Sequence, residues 1–392
     1  MIQRIILLLV NGLGVGALPD SGQGKHIQTN DTGLAPILEA APDLTFPTLE
    51  ALGLGHVVQR SRLRRMDQPE GCFGRMALSV LGTDPLTSLW ELSGLAPAEP
   101  FPFYWDALPA PLSEVVERAA KVSVRAVPSP DLRSLLGPTA GEAVAHKQLL
   151  IWGDHGATCH FAAHESVCPP QELFRVCRDV RKAAQGICPL ARVVARPIGG
   201  TPGALRWLDQ VRESCLAPPG KSLFEALLNV EQLVTGIGKV GDLFNGSGFT
   251  RSISVRSTTA VWSEMLKTLT TTPRGLIVAG LLDDVEWGGE ASFASNWVRA
   301  LGRLDAGLLE LQAKLKPGDM VCLTADHARD VLGGGRATRE YVPVLIFGPR
   351  IAKGVNLGTL RTFADLGQTI AEAFSTSRLP AGESYLAALK GG

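Results

Sequence analysis

The chain has 392 residues, of which 45% are hydrophobic and 19% charged, with Lys+Arg and Asp+Glu both at 38. That composition fits two globular domains, or one large domain with an insertion, and the lack of a charge excess argues against nucleic acid or an anionic membrane as partner. No apolar run approaches the roughly 20 residues that cross a bilayer, and seven cysteines without a Cys-x-x-Cys pair point to reduced thiols and a cytoplasmic location.

In chain order, residues 4–10 read as a buried first strand. The apolar run is too short for a signal peptide and leads straight into Gly12, Gly14 and Gly16. Gly12-x-Gly14-x-x-Ala17 fits a loosened dinucleotide fingerprint. Pro19-Asp20-Ser21-Gly22 then supplies turn chemistry where that fingerprint needs a helix, so a dinucleotide is not expected. Proline-rich borders at 95–103 and 216–222 bracket a helical stretch (171–184) and short β-like runs (121–127, 148–152, 191–196). That pattern suggests an inserted domain. Within it, Asp154, His155, His160 and His164, with Cys159 and Cys168 nearby, have the look of a metal cluster, although satisfied polar histidines are the better reading.

Apolar runs at 275–282, 319–324 and 342–347 read as further buried parallel strands. Between them Trp297, Leu301, Leu304, Leu308 and Leu311 recur at helical spacing over 292–315. Strands alternating with helices imply an α/β sheet with functional loops at strand C-terminal ends. Asn11, Asp283 and Asp326 fall at or just past such ends. Ser93-Gly94 and Ser247 lack a histidine partner in any readable nucleophile elbow. His327 is the one histidine beyond residue 164.

Several stretches, in order, resemble phosphopentomutase, a family of the alkaline phosphatase superfamily. They include NGLGVGALPD (11–20), PTLEALGLG (47–55), FGRMALSVLGTDPLTSLWELSGL (73–95), FAAHE (161–165) and RVVARPIGGTPG (192–203). PPGKSLFEAL (218–227), GIGKVGDLF (236–244), TADHARD (324–330) and TREYVPVLIFG (338–348) continue the series. The resemblance implies a doubly wound, mostly parallel α/β core of alkaline phosphatase type, formed by 1–100 and 219–392, with an α+β cap inserted at 101–218. It also implies a phosphothreonine enzyme that interconverts ribose 1-phosphate and ribose 5-phosphate with two manganese ions.

Residue by residue, the resemblance fails at the chemistry. The family's Gly-Lys-Asp-Thr-x-Thr-Gly-His-Trp-Glu becomes Gly82-Thr83-Asp84-Pro85-Leu86-Thr87-Ser88-Leu89-Trp90-Glu91, so Pro85 stands at the nucleophile. Proline has no hydroxyl to phosphorylate; Thr87 and Ser88 lie two and three positions on. The first-strand aspartate falls on Asn11, which ligates weakly. The next ligand pair falls in Asp283-Asp284-Val285-Glu286-Trp287-Gly288-Gly289-Glu290, which reads as an acidic solvated loop or, alternatively, a rebuilt hard-cation site. The last histidine falls on Ala337. Asp326 and His327 remain, with Asn11, as a residual site for one divalent cation (Mn, Mg or Zn) or for none.

On the cap side Arg192, Arg196 and Lys239 match residues that hold the phosphorylated pentose, while the family's cap aspartate falls on Gly156, with Asp154 two residues away. Three readings stay open. The chain is a pseudoenzyme binding a sugar phosphate or a protein partner, a divergent single-metal phosphohydrolase or phosphotransferase using Asp326 and His327, or a structural or assembly subunit. Oligomeric state is not legible.

Overall fold

The computed structural model describes residues 2–22, 32–97, 101–102, 108–128, 132–154, 157–282, 292–333 and 335–390. In chain order its strands are β1 (Arg4–Val10), β2 (Cys72–Met76), β3 (Ser123–Ala126), β4 (Gln148–Asp154), β5 (Thr158–His164), β6 (Arg192–Thr201), β7 (Ala204–Trp207) and β8 (Arg212–Cys215). They continue with β9 (Val234–Ile237), β10 (Arg251–Ile253), β11 (Gly275–Leu281), β12 (Asp319–Thr324), β13 (Ala328–Arg329), β14 (Ala337–Thr338), β15 (Val342–Phe347) and β16 (Asn356–Leu360).

Eight of these form one sheet in the order β10-β9-β11-β1-β12-β15-β2-β16. β1, β11 and β12 are buried along their whole length, as expected of apolar strands covered on both faces. The helix Phe293–Lys314 covers one face, burying Trp297, Leu301, Leu304, Leu308 and Leu311. Helices therefore alternate with a mostly parallel sheet, as the sequence implies.

One expectation is corrected. The 342–347 run is a strand, but β15 pairs antiparallel with both β12 and β2. A buried apolar run carries no direction of its own. Direction is set by the connection, and the link from β12 holds only the small β13–β14 hairpin, with no helical crossover among its described residues. A return without a crossover must be antiparallel.

A second sheet, in the order β3-β4-β5-β6-β7 with β8 on β6, draws its strands from residues 123–215. The helix Pro170–Ala183 packs on it. Among the described residues no helix is long and apolar enough to cross a membrane. The loop 11–22 runs through bridges and turns without starting a helix.

Candidate functional site

β1, β9 and β12 run parallel within the large sheet, so the residues following them emerge at one edge. Asn11, Lys239 and Asp326 are those residues, and the structure brings them together. Lys239 Nζ donates to Asp326 Oδ2 at 2.7 Å, with both side chains buried. Asp326 Oδ1 accepts the His327 backbone N–H at 3.0 Å. Arg329 Nε donates to Asn11 Oδ1 at 2.7 Å. Gly12 leaves room for this contact: a Cβ there would lie 2.9 Å from the Arg329 stem.

His327 Nδ1 lies 3.0 Å from the Ala328 carbonyl, to which only an N–H can bond. Its Nε2 then carries the lone pair, 3.9 Å from Asp326 Oδ2. Burial, reinforced by Arg329 and Lys239, lowers the His327 imidazole to about 4 despite the pull of Asp326. Burial alone would raise the Asp326 carboxyl, but His327, Lys239 and Arg329 together hold it well below the usual carboxylate range. Because His327 is neutral near pH 7, the cations that matter there are Lys239 and Arg329.

The segment around Pro85, where the family resemblance places a nucleophile, is built differently. Asp84 caps the helix Pro85–Leu92, accepting from the N–H groups of Leu86 and Thr87, each at 3.0 Å. Proline suits the first helical position because its missing N–H would be an orphan there. Thr87 Oγ1 donates to Asp84 Oδ2 at 2.6 Å, and Ser88 Oγ to the Pro85 carbonyl at 3.1 Å. Both hydroxyls belong to residues with 0% exposure. Neither is presented as a replacement nucleophile. Burial raises the Asp84 carboxyl above its ordinary value, against the opposing effects of Thr87 and Arg192.

Arg192 belongs to β6, and its charge links that helix start to the second sheet. Arg192 Nη1 donates to Glu213 Oε2 and Arg256 Nη1 to Glu213 Oε1, each at 3.0 Å. Arg256 Nη2 continues to Asp242 Oδ2 at 2.8 Å. Burial would raise Glu213, but Arg192, Arg256, Lys239 and Arg196 bring its carboxyl down to about 2. Arg196 Nε donates to His160 Nδ1 at 3.0 Å, and His160 Nε2 faces Asp154 Oδ2 at 3.1 Å. His164 instead contacts Ser166 and the Gly200 carbonyl, so His160 and His164 are satisfied separately. His155 and Gly156 lie outside the described residues. Glu213, Arg256 and Asp242 were not anticipated, since no local motif marks a charge network closed across the chain.

The chain is 30% identical over 387 residues to a phosphopentomutase of Caldanaerobacter subterraneus, covering 98% of each chain. A phosphopentomutase of Alkaliphilus metalliredigens is 31% identical over 397 residues, again covering 98% of both. This chain belongs to the phosphopentomutase family. The Metalloenzyme superfamily model matches residues 235–378, which contain Lys239, Asp326 and His327. Among solved structures, one of a protein in the alkaline phosphatase superfamily from Vibrio parahaemolyticus superposes with a TM-score of 0.45 at 10% identity, covering 97% of this chain and 69% of that one.

Family membership implies a divalent metal, and the described residues fit one poorly. Among them, no group of three or more His, Cys, Asp or Glu side chains is placed to hold an ion. Asp326 gives both oxygens to nitrogen donors, and Asn11 gives its oxygen to Arg329. His327 Nε2 is the best remaining donor. Ala337, where the family resemblance places a histidine, is the cross-strand partner of Arg329. The acidic run Asp283, Asp284, Glu286, Glu290, with Val285, lies outside the described residues.

Other family-like residues have clear structural work. Glu91 accepts from the backbone N–H of Ser79, Val80 and Phe363 and from the Thr362 hydroxyl. Arg339 grips Asp20 with two nitrogens and donates to the Leu78 and Val80 carbonyls. Glu340 gathers the N–H groups of Gly16, Thr32 and Gly33 and the Thr32 hydroxyl.

Proposed function

We propose that this chain is a pseudoenzyme of the phosphopentomutase family, which keeps the cleft for binding a phosphorylated sugar and performs no mutase chemistry. The observation that carries this reading is Pro85, fixed as the first residue of a capped helix where the family needs a phosphorylatable threonine. The two cations at Asp326 and Asn11 support it: Lys239 neutralises the Asp326 carboxylate and Arg329 occupies the Asn11 amide oxygen, so both residual ligands are engaged without a metal. Arg192, Arg196 and Lys239 then supply the anion-recognising nitrogens. Arginine offers a bidentate fork and lysine a point charge. A phosphate would compete with Glu213 and Asp326 for them, so binding requires those pairs to loosen. We further propose that 101–218 forms the cap over this cleft and that the protein is cytoplasmic, in keeping with its seven buried thiols.

The test pairs two assays on the full chain. Conversion of ribose 1-phosphate to ribose 5-phosphate, with manganese supplied, is expected to stay at background. Calorimetric titration with ribose 5-phosphate in a chelator is expected to show binding that weakens at least about tenfold in Arg192→Gln, the loss of one charge-assisted contact. Turnover with manganese would overturn the reading. Absence of ribose 5-phosphate binding would leave a protein partner, or a structural or assembly role, as the function of the cleft.

A second reading, a single-metal phosphohydrolase or phosphotransferase, is favoured by the His327 tautomer. The Nδ1 contact to a carbonyl is the arrangement that readies Nε2 for a cation. With Mn, Mg or Zn bound by Asp326, His327 and Asn11, the metal would supply Lewis-acid activation of a phosphoryl oxygen. That reading requires metal-dependent phosphatase activity abolished by His327→Ala.

A further inference from the structure

We infer that the outer edge of the core sheet carries a second, separate anion pocket that takes a small molecule bearing a phosphate or similar oxyanion. The pocket, of about 280 Å³, lies where β2 and the edge strand β16 meet the loop after the helix Leu54–Val57. His56, Gln59, Arg65, Arg75, Asn356 and Thr359 give it polar walls, and Val57 and Val58 give it an apolar patch. No Asp or Glu is among the residues lining it. In a chain with 38 basic and 38 acidic residues, two arginines facing one pocket without a carboxylate is a local charge imbalance.

The arginines are held as well as present. Arg75 Nε donates to Thr359 Oγ1 at 3.0 Å, while its guanidinium lies 4.2 Å from the centroid of the Tyr341 ring. Arg65 Nε donates to the Gly55 carbonyl at 3.2 Å. In each case Nε fixes the plane, and neither terminal nitrogen has a protein acceptor among the described residues. A pre-oriented guanidinium with open terminal nitrogens is suited to bidentate recognition of an oxyanion. The pocket wall is also shaped by a register shift in β16 between Asn356 and Gly358, closed by Gly358 N–H donating to Asn356 Oδ1 at 2.8 Å. Such irregularities re-aim side chains at sheet edges.

The pocket shares no residue with Asp326, Lys239 or Arg192, so it stands or falls independently of the cleft reading. The experiment is calorimetric titration of the full chain with inorganic phosphate in chloride buffer, on the wild type and on Arg65→Gln, Arg75→Gln, Arg75→Lys, Arg192→Gln and Arg62→Gln. The expected result is a saturable site weakened about tenfold or more by Arg65→Gln and by Arg75→Gln, the cost of a charge-assisted contact. Arg75→Lys, which keeps the charge and loses the fork, should also weaken it; Arg192→Gln and Arg62→Gln should leave it intact. Arg65 is exposed, so its substitution tests the site even if Arg75 variants unfold. The proposal is overturned by absence of saturable binding, by binding lost only in Arg192→Gln, or by an equal loss in Arg62→Gln. Full affinity in Arg75→Lys would equally remove the argument from geometry.

Discussion

Two groups of residues at the same edge of the core sheet are met by different kinds of partner. Glu91, Arg339 and Glu340 are each engaged by several loop groups. Asp326 and Asn11 are met instead by the side-chain cations Lys239 and Arg329. The contrast separates residues that tie loops together from residues held in single side-chain pairs. A carboxylate that closes loops over one another cannot be replaced cheaply, whatever happens to activity. A lone buried carboxylate such as Asp326 can be neutralised by one neighbouring cation.

The contrast is sharpest at Glu91. Replacing it with Ala removes the acceptor for three backbone N–H groups and one hydroxyl at a fully buried position. We expect a loss on the order of 4 kcal/mol in urea unfolding. A loss below about 1 kcal/mol, the range of an ordinary surface substitution, would mean that these bonds do not hold the loops.

Asp326→Asn tests the other group. It leaves the Lys239 ammonium buried without its counter-charge and should cost about 3 kcal/mol, most of it recovered when Lys239→Met is added. A double-mutant cycle reads the coupling directly. Additive losses would show that the ion pair is not what neutralises the cleft.

The pH dependence should locate His327. Its imidazole is depressed from 6.5 to about 4 by burial, so the unfolded chain takes up a proton where the folded one does not. Stability should therefore be fully present above about pH 6.5 and fall as pH drops toward 4, by roughly 1–3 kcal/mol from this residue. Denaturant midpoints measured at pH 7, 6, 5 and 4 should show a shallower fall in His327→Gln. Glu213, lowered from 4.5 to about 2, acts further down: its contribution is present above about pH 4.5 and lost toward pH 2.

The sequence made the large sheet's buried strands legible because long apolar runs bounded by glycine and proline leave few alternatives. β1 and β12 run from Arg4 to Val10 and from Asp319 to Thr324, matching the expected runs. The direction of β15 was not legible, because it depends on the connection and not on the strand. Pro85, Asn11 and Ala337 could be compared with the family motif by position, but a motif says nothing of what each residue touches. The ion pairs could not. Arg329 and Asn11 are 318 residues apart and Lys239 and Asp326 are 87 apart, and no local pattern announces such partners. Reading Arg192, Arg196 and Lys239 as phosphate-facing likewise gave no sign that Glu213, His160 and Asp326 already engage them.

The smallest expected effect is the most pointed. Pro85→Thr places a hydroxyl where the proposed reading puts the family's nucleophile, at a helix position where proline is favoured but not required. The loss in stability should stay under about 1 kcal/mol, because Asp84 still caps through the Leu86 and Thr87 amides. Mutase activity should nevertheless remain at background in manganese. On the proposed reading, a threonine at 85 would still lack a metal centre, because Asp326 is paired with Lys239 and Ala337 offers no imidazole. Recovery of turnover by this one substitution would show that the metal centre survives, and that proline alone separates the chain from its active relatives. Persistent inactivity, followed by metal uptake only when Lys239→Gln is combined with Ala337→His, would place the loss in the charges around Asp326.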